Sequence, residues 1–221
     1  MEQDLTEENL IEKVMKESNR FAIENSEVYE RVSTGQDPKI LAVMCSDSRT
    51  PQGMISEDGL NYVFTVKNIG NRVYDDNVGI IGDVAYPIEH LGIKLMVILG
   101  HSDCGAIKAT TSDYSKESKG TVYALDQLKK SIQAKEKNDG VELTQNPDEY
   151  MNNLAILNMD YQIERLFEEY GSLIHDRKIR VMGCFFDMKI PETYIINIDG
   201  MTTSEKIPGK FPTMERYLRS T

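Results

Sequence analysis

Two short stretches of this chain end an apolar run in groups that can do chemistry. Lys39-Ile40-Leu41-Ala42-Val43-Met44 leads directly into Cys45-Ser46-Asp47-Ser48-Arg49, and Lys94-Leu95-Met96-Val97-Ile98-Leu99-Gly100 leads into His101-Ser102-Asp103-Cys104-Gly105. Apolar runs of this length, rich in β-branched residues, read as buried strands. In an open α/β sheet the loops leaving the carboxyl ends of adjacent strands converge, so both stretches would reach one sheet edge. The first would bring a thiol, a carboxylate and a guanidinium, and the second an imidazole and another thiol.

Thiolate and imidazole together suit zinc better than magnesium or calcium. Cys104 lies three residues after His101, in a turn expected to open a helix, so the two can close on one ion with Cys45. The third cysteine, Cys184, sits inside the apolar run Val181-Met182-Gly183-Cys184-Phe185-Phe186 and reads as a core thiol. Three protein ligands leave a coordination position for water, the arrangement of a catalytic site; structural zinc usually has four. Asp47 and Arg49 alternate along a chain that continues the strand, so they can point the same way and pair. Such an arginine would keep the carboxylate ionised and off the metal, free to accept a hydrogen bond from a metal-bound nucleophile. The pair taken alone is also what a plain surface ion pair at a strand end looks like.

The elements that must position these groups follow from the rest of the chain. A helix is expected over residues 6 to about 32, capped by Thr6, with Ile11, Val14 and Met15 on one face and a modest apolar surface suited to lying across another subunit. Gly35-Gln36-Asp37-Pro38 ends it. Strands are expected at 39–44, 62–67, 94–99, 178–183 and 193–198, the last two joined by a hairpin turn over 187–192. Between them, a helix over 76–92 should be kinked or split by Pro87, another spans about 122–134, and a third runs from about 148 to 170 and stops at Gly171. A polar loop holding Gly140 separates the last two. The expected fold is α/β: a mainly parallel sheet of four strands plus an antiparallel edge strand, flanked by helices. It would form one domain over 1–221, with an N-terminal arm (1–34), a core (35–200) and a polar tail (201–221).

Composition limits the partners. With 36 acidic and 25 basic side chains the formal net charge is −11, which disfavours nucleic acid and anionic lipid surfaces. No apolar run approaches membrane-spanning length, and the acidic N-terminus is unlike a presequence, so a cytoplasmic protein is expected. Three scattered cysteines do not make a disulfide framework.

The two ligand stretches together resemble the paired signature of the β-class carbonic anhydrases. The resemblance extends through Lys67-Asn68-Ile69-Gly70-Asn71 and more weakly through Phe186-Asp187, covering roughly residues 35 to 110. It implies Cys45, His101 and Cys104 as ligands of one Zn2+ per chain, Asp47 with Arg49 as the catalytic dyad, and a homodimer or higher homo-oligomer. It further implies that Gln36, nine positions before the first ligand, binds bicarbonate, often across a dimer interface. Gln36 or a backbone N–H near Gly105 would stabilise developing oxygen charge. Lys67 and Ile69 depart from the arginine and alanine of many members. The chain has no tryptophan, so the inhibitory bicarbonate site that uses one is expected to be absent and the open, plant-like type is favoured. His90 and His175 read as surface residues.

The implied activity is reversible hydration of CO2 to bicarbonate and a proton through zinc-bound hydroxide. Two other readings use the same metal: hydrolysis of carbon disulfide or carbonyl sulfide, and a non-catalytic zinc-stabilised bicarbonate-binding or interaction protein.

Overall fold

Four of the apolar runs form parallel strands in the computed structural model, which describes residues 7–57, 59–73, 78–139 and 146–202. These are β1 (Ile40–Cys45), β2 (Val63–Asn68), β3 (Leu95–His101) and β4 (Arg180–Asp187), in the spatial order β2-β1-β3-β4. A turn after Asp187 leads into β5 (Glu192–Ile198), which runs antiparallel to β4, and the two-residue β6 (Met201–Thr202) pairs antiparallel with β5. The sheet is therefore the mixed one expected, with β6 as an addition at the margin. Register places Met44 beside Leu99 and Cys45 beside Asn68, so β1, β2 and β3 end within about one residue of the same height.

Alternation along each strand explains why the runs are apolar throughout. Leu41, Val43, Met96, Ile98, Val181 and Phe185 join one core cluster, while Ala42, Met44, Val97, Leu99 and Cys184 join another, as expected when successive side chains point to opposite faces of a sheet buried on both. The first cluster includes Val84 and Ile88 of α3 (Val78–His90) and Met159, Ile163 and Leu166 of α6 (Pro147–Asp176).

Several helix boundaries differ from the sequence expectation. The expected first helix is two, α1 (Glu7–Glu24) and α2 (Ser26–Val32), interrupted at Asn25, whose side-chain amide donates to the Phe21 carbonyl at 2.8 Å. Pro87 does not split α3, which is continuous over 13 residues. The short α4 (Gly105–Thr110) starts directly after Cys104, and α5 extends over Lys119–Asp139. α6 begins on the Asn146 cap, whose side chain accepts from the Asp148 and Glu149 N–H groups, with Pro147 in the first turn. It passes through Gly171 and ends at Asp176, capped by Arg177. An interior glycine costs about 1 kcal/mol relative to alanine, whereas burying Ile174 in the core is worth about 1.5–3 kcal/mol, so the apolar face carries the helix onward.

The chain divides into two compact units, Met1–Asp37 and Pro38–Thr221. In the first, neither helix has a buried residue, and Leu10, Ile11, Val14 and Met15 of α1 are exposed. Thr6, the loop around Gly140 and the tail beyond Thr202 lie outside the described residues. Among the described residues, no helix is long and apolar enough to cross a membrane.

Candidate metal centre and active site

Cys45 is the last residue of β1, His101 the last of β3, and Cys104 the cap of α4. All three are buried, at 5%, 1% and 4% exposure. One ligand atom from each lies within 4.8 Å of the other two, and the two Sγ atoms are 4.0 Å apart. The His101 Nδ1 is 2.9 Å from the Ser102 carbonyl oxygen. A carbonyl can only accept, so Nδ1 carries the proton and Nε2 presents a lone pair. Nε2 is buried and has no hydrogen-bond partner among the described residues, a cost of about 1–3 kcal/mol if nothing binds it. The Cys45 thiol is pushed down, first by its hydrogen bond with Cys104, then by the neighbouring His101 ring and the backbone N–H groups of Asp47 and Gly70, against the opposing effect of burial. That same contact and burial push Cys104 up. One thiolate forms readily and its charge holds back the second, so a dication would satisfy both sulfurs and the orphaned nitrogen at once. The donor set fits zinc.

The loop after β1 is held from beneath. Thr50 is buried, and its hydroxyl donates to the carbonyls of Cys45 and Asp47 at 3.2 and 2.9 Å. The Lys67 ammonium donates to Thr50 O at 2.6 Å and Asp47 O at 3.3 Å. Lys67 thus closes the turn that presents Asp47. On the other side Ser102 ties β3 to the end of β4: its hydroxyl accepts from the Met188 N–H at 2.8 Å and donates to Asp187 at 3.3 Å. Gly70, at φ +75°, lies so close to Leu128 that an added Cβ would fall 2.4 Å from its Cδ2. Its carbonyl accepts from buried Asn158, which is itself bonded to Ser131 and Gln162.

Beside the triad lies a charged layer. Arg49 grips Asp47 with its fork, Nε to Oδ1 at 2.9 Å and Nη2 to Oδ2 at 2.7 Å, while its backbone N–H also donates to Oδ1. Chiefly through these side-chain bonds, the Asp47 carboxyl is held well below the usual carboxylate range. The pairing expected from the sequence is therefore present, and Asp47 is only 15% exposed. Asp103 shares this layer. Its Oδ2 takes Arg49 Nη1 at 2.8 Å, its backbone carbonyl takes Nη2 at 3.0 Å, and its Oδ1 pairs with Lys108. Arg49 first and Lys108 second hold the Asp103 carboxyl at about 2. Spacing between His101 and Cys104 offers no signal for this role, since it depends on the distant Arg49.

Cys45, Asp47, Ile69 and Gly105 line a cavity of about 530 Å³ whose wall continues along α4 and α5 through Ala109 and Leu125. Gly105 opens α4 with empty space where a Cβ would stand. Gln36 belongs to the N-terminal unit, in an exposed irregular stretch after α2. His90 and His175 are exposed as expected. Cys184 is buried in β4 and is not part of the ligand group.

A family model described as carbonic anhydrase matches residues 40–192, more than half of the chain. A carbonic anhydrase of Helicobacter pylori strain J99 is 35% identical over 88 residues, 38% of this chain and 40% of that protein. A carbonic anhydrase of Synechococcus elongatus is 35% identical over 85 residues, 37% and 31% of the two chains. These matches thus span well under half the length of either relative. Among solved structures, one of two tetrameric β-carbonic anhydrases from Sordaria macrospora superposes with a TM-score of 0.73 at 26% identity, over 86% of this chain and 98% of that one. The Coccomyxa β-carbonic anhydrase, at 20% identity and a TM-score of 0.71 over 96% and 97% of the two chains, shares the fold. The chain belongs to the carbonic anhydrase family, in its β class.

Proposed function

We propose that this protein, read as one catalytic domain with an N-terminal arm, reversibly hydrates CO2 to bicarbonate and a proton at one zinc per chain. The observation that carries the reading is the buried Cys45–His101–Cys104 triad with its unpartnered Nε2, beside an Asp47 already committed to Arg49. Zinc held by Cys45 Sγ, His101 Nε2 and Cys104 Sγ would supply a Lewis acid that acidifies a water for attack on CO2. Asp47, kept ionised by Arg49, would act as the hydrogen-bond acceptor that orients the attacking water. Arg49 restrains Asp47, which favours the open type of site over the bicarbonate-inhibited one. The Gly105 N–H and Gln36 are assigned to the oxygens of bicarbonate, where fixed donors stabilise developing charge. The apolar part of the cavity wall, with Ile69 and Leu125, admits a nonpolar gas.

A homodimer or higher homo-oligomer completes this reading. It is supported by the exposed apolar residues of α1 and by the tetrameric Sordaria macrospora relatives. All three cysteines are free, which suits a cytoplasmic setting. Zinc analysis with stopped-flow assays on CO2, carbonyl sulfide and carbon disulfide tests the activity. One zinc per chain and CO2 as the fastest substrate are expected. Rapid sulfide release with negligible CO2 hydration would overturn the choice of substrate, and a fully metallated protein inert on all three would favour a non-catalytic role. Sedimentation equilibrium should show a dimer or larger species.

A further inference from the structure

We propose that Asp103 is the positioning residue that holds Arg49 on Asp47 and so keeps the Asp47 carboxylate from moving onto the metal. The inference rests on the metal-site reading above and assigns a task to a residue outside the ligands and the dyad. Asp47 and Arg49 are two residues apart on one loop, so their mutual bonds leave them free to move as a pair. Asp103 adds two bonds from 54 residues away, one to Nη1 through its carboxylate and one to Nη2 through its carbonyl. It lies between His101 and Cys104, so these bonds tie the guanidinium to the loop that carries two of the three ligands.

Asp103 is well fastened for such a task. Its backbone sits at φ +56°, a conformation that a non-glycine residue adopts at a cost. One carboxylate oxygen faces Arg49 and the other faces Lys108, a turn along on α4. Each oxygen therefore has its own cation, and rotation would break one pair. The balance at Asp47 is a competition: a dication in the triad attracts the carboxylate, and Arg49 opposes it. An arginine already ordered by a second carboxylate loses little further side-chain freedom when it grips the first. Without Asp103 the grip must be formed by a loose side chain that is about half exposed, and the dication gains the advantage.

The test uses Asp103→Asn and Asp103→Gly in the full chain, loaded with zinc for turnover and with cobalt(II) for visible absorption. Glycine suits the positive φ and keeps the carbonyl that accepts from Arg49, so this variant removes the carboxylate with little cost to the loop. Metal content should stay at one per chain. Turnover per zinc should fall about tenfold with KM little changed, the signature of a reduced competent population. Thiocyanate should perturb the cobalt spectrum only at about tenfold higher concentration than in the wild type, because Asp47 then competes for the open position. In an Asp47→Asn background, Asp103→Asn should change neither readout, since coupled residues are not additive.

Unchanged turnover and anion response in both variants would overturn the proposal. So would metal loss with full activity per remaining zinc, which would make Asp103 only a prop for the ligand loop. If wild-type protein holds zinc but does not hydrate CO2, the catalytic reading falls and the thiocyanate titration still decides on Asp103. A wild-type protein that takes up no metal sinks both.

Discussion

The three cysteines of this chain are equally hidden, yet they occupy two kinds of place. Cys45 and Cys104 stand at the carboxyl edge of the sheet, where strands end and backbone N–H groups are unspent. Cys184 stands within β4, paired with Leu99 and Ile195 and facing a small apolar cavity lined by Met182, Val97 and Leu99. Burial alone pushes the Cys184 thiol up to about 12. At the sheet edge the same burial is outweighed at Cys45 by hydrogen bonds, and the thiol moves the other way. Depth alone does not gather a group of soft donors; a strand end with a second soft group beside it does.

The harshest trial of this contrast is Cys45→Ser or Cys104→Ser. Either should reduce zinc from one per chain to near zero and lower CO2 hydration by roughly a thousandfold or more, measured by metal analysis and stopped flow. Retained zinc with Cys184 recruited instead would dissolve the distinction. Next in size, Asp47→Asn should cost about 10²–10³ in kcat while zinc stays near one per chain, since the amide cannot act as an anionic acceptor. Loss of zinc in that variant would mean that Asp47 belongs to the ligand set.

Gly70→Ala probes the support behind Cys45. A methyl there meets Leu128 and must adopt φ +75°, so chemical denaturation should show a loss of about 2–3 kcal/mol. Weaker zinc affinity should accompany it, because the Gly70 N–H donates toward Cys45. A neutral outcome would show that the loop can shift freely behind the metal.

The smallest effect is expected at Cys184→Ala, with zinc and turnover unchanged and a stability loss of about 1 kcal/mol at neutral pH. Its pH dependence sharpens the contrast. The folded thiol titrates above the unfolded one, so its contribution is complete below the unfolded pKa and is lost as pH rises toward the folded value of about 12. Between pH 9 and 11 the wild type should therefore lose stability faster than Cys184→Ala, by up to about 1.4 kcal/mol per pH unit. Parallel curves would place Cys184 in water.

What could be read from the sequence divides along the same line. The positions of the strands and the grouping of Cys45, His101 and Cys104 were legible because continuous apolar runs and abrupt chemical endings are local signals, whereas the spatial order of the strands was not. The pairing of Asp47 with Arg49 was legible because two residues of alternation decide it. The extension of α6 past Gly171 was hidden, since it depends on Ile174 reaching a core assembled from distant strands. The break at Asn25 was hidden because the residues around it continue a helical pattern. Asp103, Thr50 and Lys67 carry no local mark of their tasks: each acts on a carbonyl or guanidinium whose position only the folded sheet edge defines.

The central claim is that Cys45, His101 and Cys104 hold one catalytic zinc with Asp47 kept off it. The most direct measurement is a crystal structure of the zinc-loaded protein with anomalous scattering at the zinc edge, the same crystals being dissolved for CO2 hydration. One zinc on Cys45 Sγ, His101 Nε2 and Cys104 Sγ, a water in the fourth position and Asp47 on Arg49, in active protein, is the predicted result. Zinc elsewhere, or Asp47 as the fourth ligand in active protein, would contradict it.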